Sequence, residues 1–136
     1  MNVTTGIDII EVGRIKDAIE EMEDKFLNKI YTEQEIEYCN NSKLMKYQHF
    51  AARFAVKEAV FKAISDYDNL DKEDLWKSIE VINKESGKPV INVEKLKKKM
   101  GKTADNLELK DVEISISHIQ EYAVASAVAV FEERRQ

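Results

Sequence analysis

The apolar positions change their period along the chain, from helical spacing in the first half to β-rich runs in the second. The segment VTTGIDII, from about Val3 to Ile10, is β-branched and predicts a first strand. Thr32 and Glu35 have the spacing of a capping box that begins a helix, and the longest helix is predicted from about Lys43 to Ile64. Helical spacing before the capping box joins Val12, Ile15, Ile19, Met22 and Phe26.

The second half predicts two pairs of strands. WKSIEVINKESGKPVINV predicts two strands around a turn at Glu85 to Pro89, and VEKLKKKMGK predicts a short basic helix. DVEISISH and YAVASAVAVF predict two more strands, joined tightly around Ile119 to Glu121, whereas the polar segment SDYDNLDKEDL predicts a loop. Helices followed by strands favour an α+β fold, and we expect a single domain over residues 1–136 because no repeat or linker interrupts the pattern.

Composition and charge exclude several classes of protein. The 136 residues are 43% hydrophobic and 35% charged, as in a globular domain, and the net charge of -5 argues against a general nucleic-acid binder. Cys39 is the only cysteine, so we expect neither a disulfide framework nor a cysteine zinc site. The start of the chain predicts neither a signal peptide nor a membrane span, which favours a cytoplasmic protein.

The segment RFAVKEAVFKAI is apolar on most sides of the predicted helix yet carries four charges. Glu58 and Lys62 are spaced for a favourable helical ion pair, and a site that uses both charges is the alternative. Arg53 and Lys57 have the same spacing but the same sign. That repulsion costs about 0.2–0.5 kcal/mol unless an anion lies between them or a carboxylate reaches over, and both side chains could instead be solvated.

Two polar residues lie in apolar strands. Asp8 interrupts GIDII, where an acidic residue is expected to be paired, to cap a helix or to bind a metal ion. His118 ends the strand that contains SISH, where it is either a structural hairpin residue or part of a ligand site. His49 precedes Phe50 in the long helix, and we interpret it as structural.

Three segments, in this order, resemble one protein family. GIDIIEVGRI, RFAVKEAVFKA and SISHIQEYAVA are similar to segments of the bacterial holo-acyl-carrier-protein synthases, the short class of phosphopantetheinyl transferases. The resemblance covers most of the chain, and K-E-A-x-x-K is its most specific element. It implies an α+β fold in which a small antiparallel sheet packs with a long central helix and shorter helices. It also implies a homotrimer with its sites between subunits.

The resemblance implies a reaction as well. Coenzyme A gives its 4′-phosphopantetheine arm to a serine of an apo acyl carrier protein, and adenosine 3′,5′-bisphosphate is the other product. The family uses Mg²⁺, and fatty-acid synthesis is its usual setting.

The same resemblance implies roles for individual residues. Asp8 and Glu58 match the metal carboxylates, and Lys62 matches a catalytic lysine that stabilises or protonates the departing phosphate oxygen. Glu58, directly or through a bound water, is the expected base for the serine proton, and an acid of the carrier protein is the rival. The other matches are Arg53 and Lys57 near the coenzyme's phosphates, His118 near its ribose phosphate, Gly87, Lys88 and Pro89 near its adenosine, and Arg14 in carrier docking.

This sequence also departs from the family. Thr4 replaces the first glycine of the first strand, and the loop from Asp66 to Leu75 lacks the family's glycines. The helix expected to dock an acidic carrier also holds acids of its own, namely Glu20, Glu21, Glu23 and Asp24. The alternatives to a transferase are a non-catalytic module that binds coenzyme A or the carrier protein, and a structural oligomer in which Glu58 and Lys62 form only an ion pair.

The last predicted strand has one face of small residues. The alanines alternate with larger residues and comprise Ala123, Ala125, Ala127 and Ala129. Such a face allows another surface to approach closely. A helix of the same chain and a neighbouring subunit are equally compatible with this pattern.

Overall fold

The chain folds as a long strand, a series of helices, a short hairpin, one more helix and a long final hairpin. This description comes from a computed structural model and covers residues 1–101, 103 and 106–134. In chain order the elements are β1 (Asn2–Glu11), α1 (Val12–Met22), α2 (Asp24–Ile30), α3 (Glu33–Asn40), α4 (Lys46–Ile64), α5 (Lys72–Leu75), β2 (Val81–Asn83), β3 (Pro89–Ile91), α6 (Val93–Met100), β4 (Leu107–His118) and β5 (Tyr122–Glu133). The predicted α+β class is confirmed.

The long strands form an antiparallel sheet in the order β1–β5–β4. Strand β1 pairs with β5 along its whole length, and β4 and β5 are joined by the predicted tight turn at residues 119–121. Strands β2 and β3 form a separate hairpin. Gly87 lies in the turn of that hairpin with a φ of 90°, a conformation that side chains with a Cβ rarely adopt.

Helix α4 packs across one face of the three-stranded sheet. The four alternating alanines of β5 are at most 1% exposed and belong to the same buried cluster as α4 residues or pack beside them. A Cβ atom on Gly6 of β1 would lie 1.9 Å from the carbonyl oxygen of Ala59, so the two backbones touch here. The small face of β5 therefore receives a helix of the same chain, which decides between the two alternatives.

The first half differs from the prediction only in detail. The helical spacing from Val12 to Phe26 spans two helices, because Glu23 takes a positive φ of 49° and interrupts the run. The capping box is confirmed: Thr32 N donates to Glu35 Oε1 at 2.9 Å, and Glu35 N donates to Thr32 Oγ1 at 3.3 Å.

The remaining boundaries move by a few residues. Helix α4 begins at Lys46, slightly later than expected, and the predicted loop after it contains the short helix α5. Helix α6 ends at Met100, and the predicted end of the basic helix at Lys102 lies outside the described residues. Within the part of the chain that the structure describes, none of the helices has both the length and the apolar character needed to cross a bilayer.

Candidate active site

The crossing of β1 and α4 brings together the three residues expected to carry the chemistry. Strand alternation turns Asp8 toward the helix, and Glu58 and Lys62 lie one helical turn apart on α4. The side chains of Asp8 and Glu58 are only 17% and 12% exposed. Lys62 Nζ donates to the Ile7 carbonyl oxygen at 2.9 Å and lies 3.4 Å from Asp8 Oδ1.

Glu58 is held by a lysine that sequence patterning did not reveal. Lys72 Nζ lies 2.7 Å from Glu58 Oε2 and 3.0 Å from Oε1, and 5.3 Å from the centre of the Phe61 ring. Lys72 begins α5, inside the segment that lacks the family's glycines. Glu58 and Lys62 therefore each pair with another residue, and the helical ion pair between them is not what the structure forms.

The two acidic side chains interact electrostatically. Burial raises the pKa of Asp8 above its ordinary value, the neighbouring Lys62 opposes this rise, and the Glu58 carboxylate adds to it. A cation shared by the two carboxylates would relieve their repulsion. Among residues 1–101, 103 and 106–134, no cluster of three or more His, Cys, Asp or Glu side chains could hold a metal ion. Two carboxylates with free positions for water and phosphate oxygens fit Mg²⁺ better than a metal that needs a full protein cage.

Four of the residues matched to the coenzyme line a pocket apart from the crossing of β1 and α4, which we call the second pocket. Its volume is about 220 Å³, and Arg53, His118, Gly87 and Pro89 all line it. Lys88 lies in the same turn but is exposed and does not line this pocket. Other lining residues, which we did not expect from the sequence, are Tyr38, His49, Ala52, Asn83 and Ile116.

The guanidinium of Arg53 is oriented by two neighbours. One terminal nitrogen donates to Asn83 Oδ1 at 2.6 Å, and the guanidinium carbon lies 4.1 Å from the centre of the Tyr38 ring. The Nε atom is buried without a hydrogen-bond partner. An arginine held this way can present a planar set of donors to a phosphate.

His49, which we interpreted as structural, also lines this pocket. Its ring stacks on Tyr38 at 5.3 Å and meets the His118 ring edge-on at 6.2 Å, and its buried Nδ1 has no partner. Burial lowers the pKa of His49, and the positive charges of Arg53 and His118 lower it further. The available sequence signal was the spacing to Arg53, since residues four apart share a helix face.

The structure corrects the expectation for Lys57. Its side chain is fully buried and donates to Glu35 Oε1 at 2.9 Å, to the Trp76 carbonyl at 2.6 Å and to the Ile79 carbonyl at 2.7 Å. Burial lowers the pKa of Lys57, and the Glu35 carboxylate opposes this. An ammonium with three acceptors has no hydrogen left for a phosphate. The repulsion between Arg53 and Lys57 is thus offset by a carboxylate that reaches over.

Arg14 lies exposed on α1, as a docking residue would. Farther along, α2 and α5 border a groove of about 500 Å³ that is lined by apolar side chains, three lysines and Glu73, and Glu73 pairs with Lys29 at 3.1 Å. The acids of this region, Glu20, Glu21, Glu23 and Asp24, are all exposed near the junction of α1 and α2. The residues that line the groove are Met22, Lys25, Phe26, Lys29, Ile30, Lys72, Glu73 and Trp76.

Comparison with known proteins identifies the family to which this fold belongs. A family model described as the 4′-phosphopantetheinyl transferase superfamily matches residues 4–127, so the chain belongs to this superfamily. Its curated relatives are holo-[acyl-carrier-protein] synthases. The one from Ruminiclostridium cellulolyticum is 44% identical over 128 residues, which cover 94% of this chain and 92% of the relative. The one from Chlamydia caviae is 42% identical over 125 residues, with 92% and 94% covered.

Solved structures of such synthases share the fold. The holo-(acyl-carrier-protein) synthase of Bacillus anthracis, in complex with CoA (3′,5′-ADP), matches with a TM-score of 0.67 and 37% identity over 93% of this chain and 94% of that one. The Helicobacter pylori enzyme, in complex with coenzyme A, matches with a TM-score of 0.70 and 27% identity over 93% and 99%. The resemblance seen in the sequence is therefore confirmed.

Proposed function

We propose that this chain transfers 4′-phosphopantetheine from coenzyme A to a serine of an apo acyl carrier protein. The products are the holo acyl carrier protein and adenosine 3′,5′-bisphosphate. The observation that carries this proposal is the meeting of Asp8, Glu58 and Lys62 at the crossing of β1 and α4. A module that only binds the coenzyme has no need of two carboxylates and a lysine gathered in this way.

The residues of this crossing have separable roles. Asp8 and Glu58 hold Mg²⁺, which when bound offsets the negative charge of the pyrophosphate. Lys62, whose side chain is 53% exposed, directs its ammonium at the departing phosphate oxygen and stabilises the charge that develops there. Glu58, directly or through a water, accepts the proton of the attacking serine.

The coenzyme's ribose phosphate and adenosine bind in the second pocket. Arg53, His49 and His118 supply donors for the phosphate, and the turn at Gly87, Lys88 and Pro89 borders the adenosine. The partly satisfied guanidinium and the unpartnered Nδ1 of His49 support this assignment.

The two groups of residues leave α4 on opposite sides. Arg53 and Lys62 are separated by nine residues, and at 3.6 residues per turn their side chains point about 180° apart. The pyrophosphate and the ribose phosphate of coenzyme A are attached to the same ribose, a span too short to pass around a packed helix, so in this proposal the two groups are bound by different copies of the chain. The site is therefore formed between subunits, with the crossing of one subunit facing the second pocket of the next.

The sheet offers a surface for this assembly. The face of the sheet away from α4 exposes apolar side chains, with Ile7 and Ile9 64% and 65% exposed and Val3 and Val128 55% and 38% exposed. An apolar sheet face of this kind is normally covered by another surface. A homotrimer with three equivalent sites satisfies both the exposed face and the divided site.

The acyl carrier protein docks on α1 and the adjoining groove. Arg14 supplies an exposed positive charge, and the groove beside α2 adds Lys25 and Lys29 around apolar side chains. An acidic carrier helix matches a groove in which lysines outnumber acidic residues and adjoin apolar side chains.

The transferase is tested by intact-protein mass spectrometry of an apo acyl carrier protein. The carrier is incubated with this chain, coenzyme A and Mg²⁺, with and without a chelator. We expect a metal-dependent gain of one phosphopantetheine on the carrier serine. No gain on several carriers, with coenzyme A binding confirmed, would favour the non-catalytic module. No binding at all would leave the structural oligomer.

Variants of the crossing test the residue roles. Glu58→Gln and Lys62→Ala are each expected to lower kcat by roughly 100-fold to 1,000-fold, because each removes a group that acts on the reacting phosphate. Their unfolding curves should stay close to that of the parent chain. Lys77→Ala, an exposed lysine outside the site, is the matched control. Near-normal rates in both variants would show that the charges are structural.

A further inference from the structure

The carboxylate of Glu58 already has a cation bound to it. Both of its oxygens lie within 3.0 Å of Lys72 Nζ, and the Glu58 side chain is only 12% exposed. A metal ion that binds here must compete with Lys72 for carboxylate oxygens that are nearly closed off from solvent and already hold one positive charge.

The charges at the crossing are balanced without a metal ion. Asp8 and Glu58 carry two negative charges, and Lys62 and Lys72 carry two positive charges in contact with them. Entry of a divalent cation into a neutral cluster leaves two uncompensated positive charges beside carboxylates that are only 17% and 12% exposed. Either a lysine must withdraw, or additional negative charge must arrive.

Lys72 is better suited to withdraw than Lys62. Lys62 is anchored on the long helix α4 and also donates to the Ile7 carbonyl oxygen. Lys72 begins α5, a helix of only four residues. Both lysine side chains are accessible to water, 53% exposed for Lys62 and 43% for Lys72, so the difference between them lies in the anchoring.

We propose that Lys72 competes with the divalent cation for Glu58 and so lowers the metal affinity of the chain when coenzyme is absent. The proposal rests on the proposed function, since it assumes that Asp8 and Glu58 hold the metal ion. The coenzyme's phosphates bring the negative charge that lets metal and lysine coexist in the site. Lys72 therefore makes metal binding depend on coenzyme, and it does so through the segment in which this chain lacks the family's glycines.

The test measures metal binding directly, without turnover. The full chain is titrated with Mn²⁺ in the absence of coenzyme, and free Mn²⁺ is followed by electron paramagnetic resonance. Lys72→Gln is expected to bind Mn²⁺ about threefold to tenfold more tightly than the parent chain, as loss of a partly buried ion pair allows.

Two control variants separate the contact from the general charge. Lys72→Arg keeps the positive charge and can pair with both Glu58 oxygens, so we expect it to bind Mn²⁺ no more tightly than the parent chain. Lys77→Gln removes one positive charge from the same segment without touching Glu58 and should also stay within about twofold. The ratio between Lys72→Gln and the parent should persist from about 0.05 M to about 0.5 M salt, since screening weakens a distant charge more than a contact.

The outcomes are distinguishable. Equal Mn²⁺ affinity in the parent and Lys72→Gln, including no detectable binding by either, overturns the competition. So does a ratio that vanishes in high salt, or an effect of Lys72→Gln on the KM for coenzyme alone. Failure of the proposed metal site looks different: the parent chain binds Mn²⁺, and Glu58→Gln and Asp8→Asn leave that binding unchanged.

Discussion

At the scale of single residues, the four charges of RFAVKEAVFKAI differ in role because they differ in partner. Arg53 is oriented by Asn83 and keeps a free donor, whereas Lys57 is fully satisfied inside the core. Glu58 and Lys62 are each paired with a residue outside the helix that a ligand can displace. The contacts of each residue therefore distinguish Lys57, whose charge is structural, from Arg53, Glu58 and Lys62, which we propose bind ligands.

The buried pair of Lys57 and Glu35 is expected to matter for stability. Lys57→Met leaves the Glu35 carboxylate buried with only backbone donors, and we expect the free energy of unfolding in urea to fall by about 3–5 kcal/mol. The double variant Lys57→Met with Glu35→Gln should recover part of this loss, because no unpaired charge remains buried. Unchanged stability with weaker coenzyme binding would instead assign Lys57 to the coenzyme.

The low pKa of His49 predicts a proton linkage. Burial keeps the ring neutral in the empty pocket near neutral pH, and a bound phosphate raises its pKa toward or above the ordinary value. Coenzyme binding should therefore take up protons at about pH 6 and not at about pH 8, with affinity rising as pH falls.

The measurement is calorimetry in buffers of different ionisation enthalpy, with the parent chain and His49→Gln. The variant should take up fewer protons at about pH 6, with both chains alike at about pH 8. Equal uptake by parent and variant would remove His49 from the phosphate site.

At the scale of elements, the contact between β1 and α4 decides the geometry of the crossing. Gly6 permits the close approach, and Asp8 lies two residues farther along the same face of the strand. Thr4 also faces α4, and its buried hydroxyl has no hydrogen-bond partner. The position of Asp8 relative to Glu58 thus depends on how closely the strand meets the helix.

Gly6→Ala and Gly13→Ala form a matched pair that tests this contact. A Cβ on Gly6 would collide with the Ala59 carbonyl, so we expect a loss of about 1–3 kcal/mol in the free energy of unfolding and lower transferase activity. A Cβ on Gly13 of α1 meets nothing within 4 Å, and alanine there should be neutral or stabilise the chain by up to about 1 kcal/mol. Equal stability of the two variants would show that β1 can move away from α4 freely.

At the scale of the whole molecule, we propose that one subunit carries two parts of a site that are completed by other subunits. The carboxylate crossing and the histidine pocket lie on opposite sides of α4, and the outer face of the sheet is apolar and exposed. Assembly of subunits would cover that face and bring the crossing of one subunit next to the second pocket of another. Activity is therefore expected to depend on protein concentration wherever the assembly is weakened.

Ile9→Lys tests the assembly, since it places a charge on the exposed apolar face of the sheet. We expect light scattering after size exclusion to show the parent chain as a trimer and the variant as a monomer, with activity lost in parallel. Leu44→Lys is the control, because Leu44 is 92% exposed and lies away from the sheet. A parent chain that is monomeric and fully active would contradict the divided site.

Features that depend on residues close together in the chain could be predicted from the sequence. Strand β1, the capping box at Thr32, the turn at Gly87 and the tight final hairpin all follow from residues a few positions apart, and all were predicted. The family resemblance, which rests on short sequence motifs, also singled out Asp8, Glu58 and Lys62, and the structure places them near one another.

Tertiary packing determines which distant residue each charged side chain pairs with. Lys57 meets Glu35 across 22 positions, Glu58 meets Lys72 across 14, and Lys62 meets Asp8 across 54. Packing of α4 between the sheet and the other helices selects these partners, and no local pattern encodes that choice. For the same reason, local sequence patterns did not predict three features: the burial of Lys57, the position of His49 and the division of the site around α4. These features depend on the elements that pack against α4.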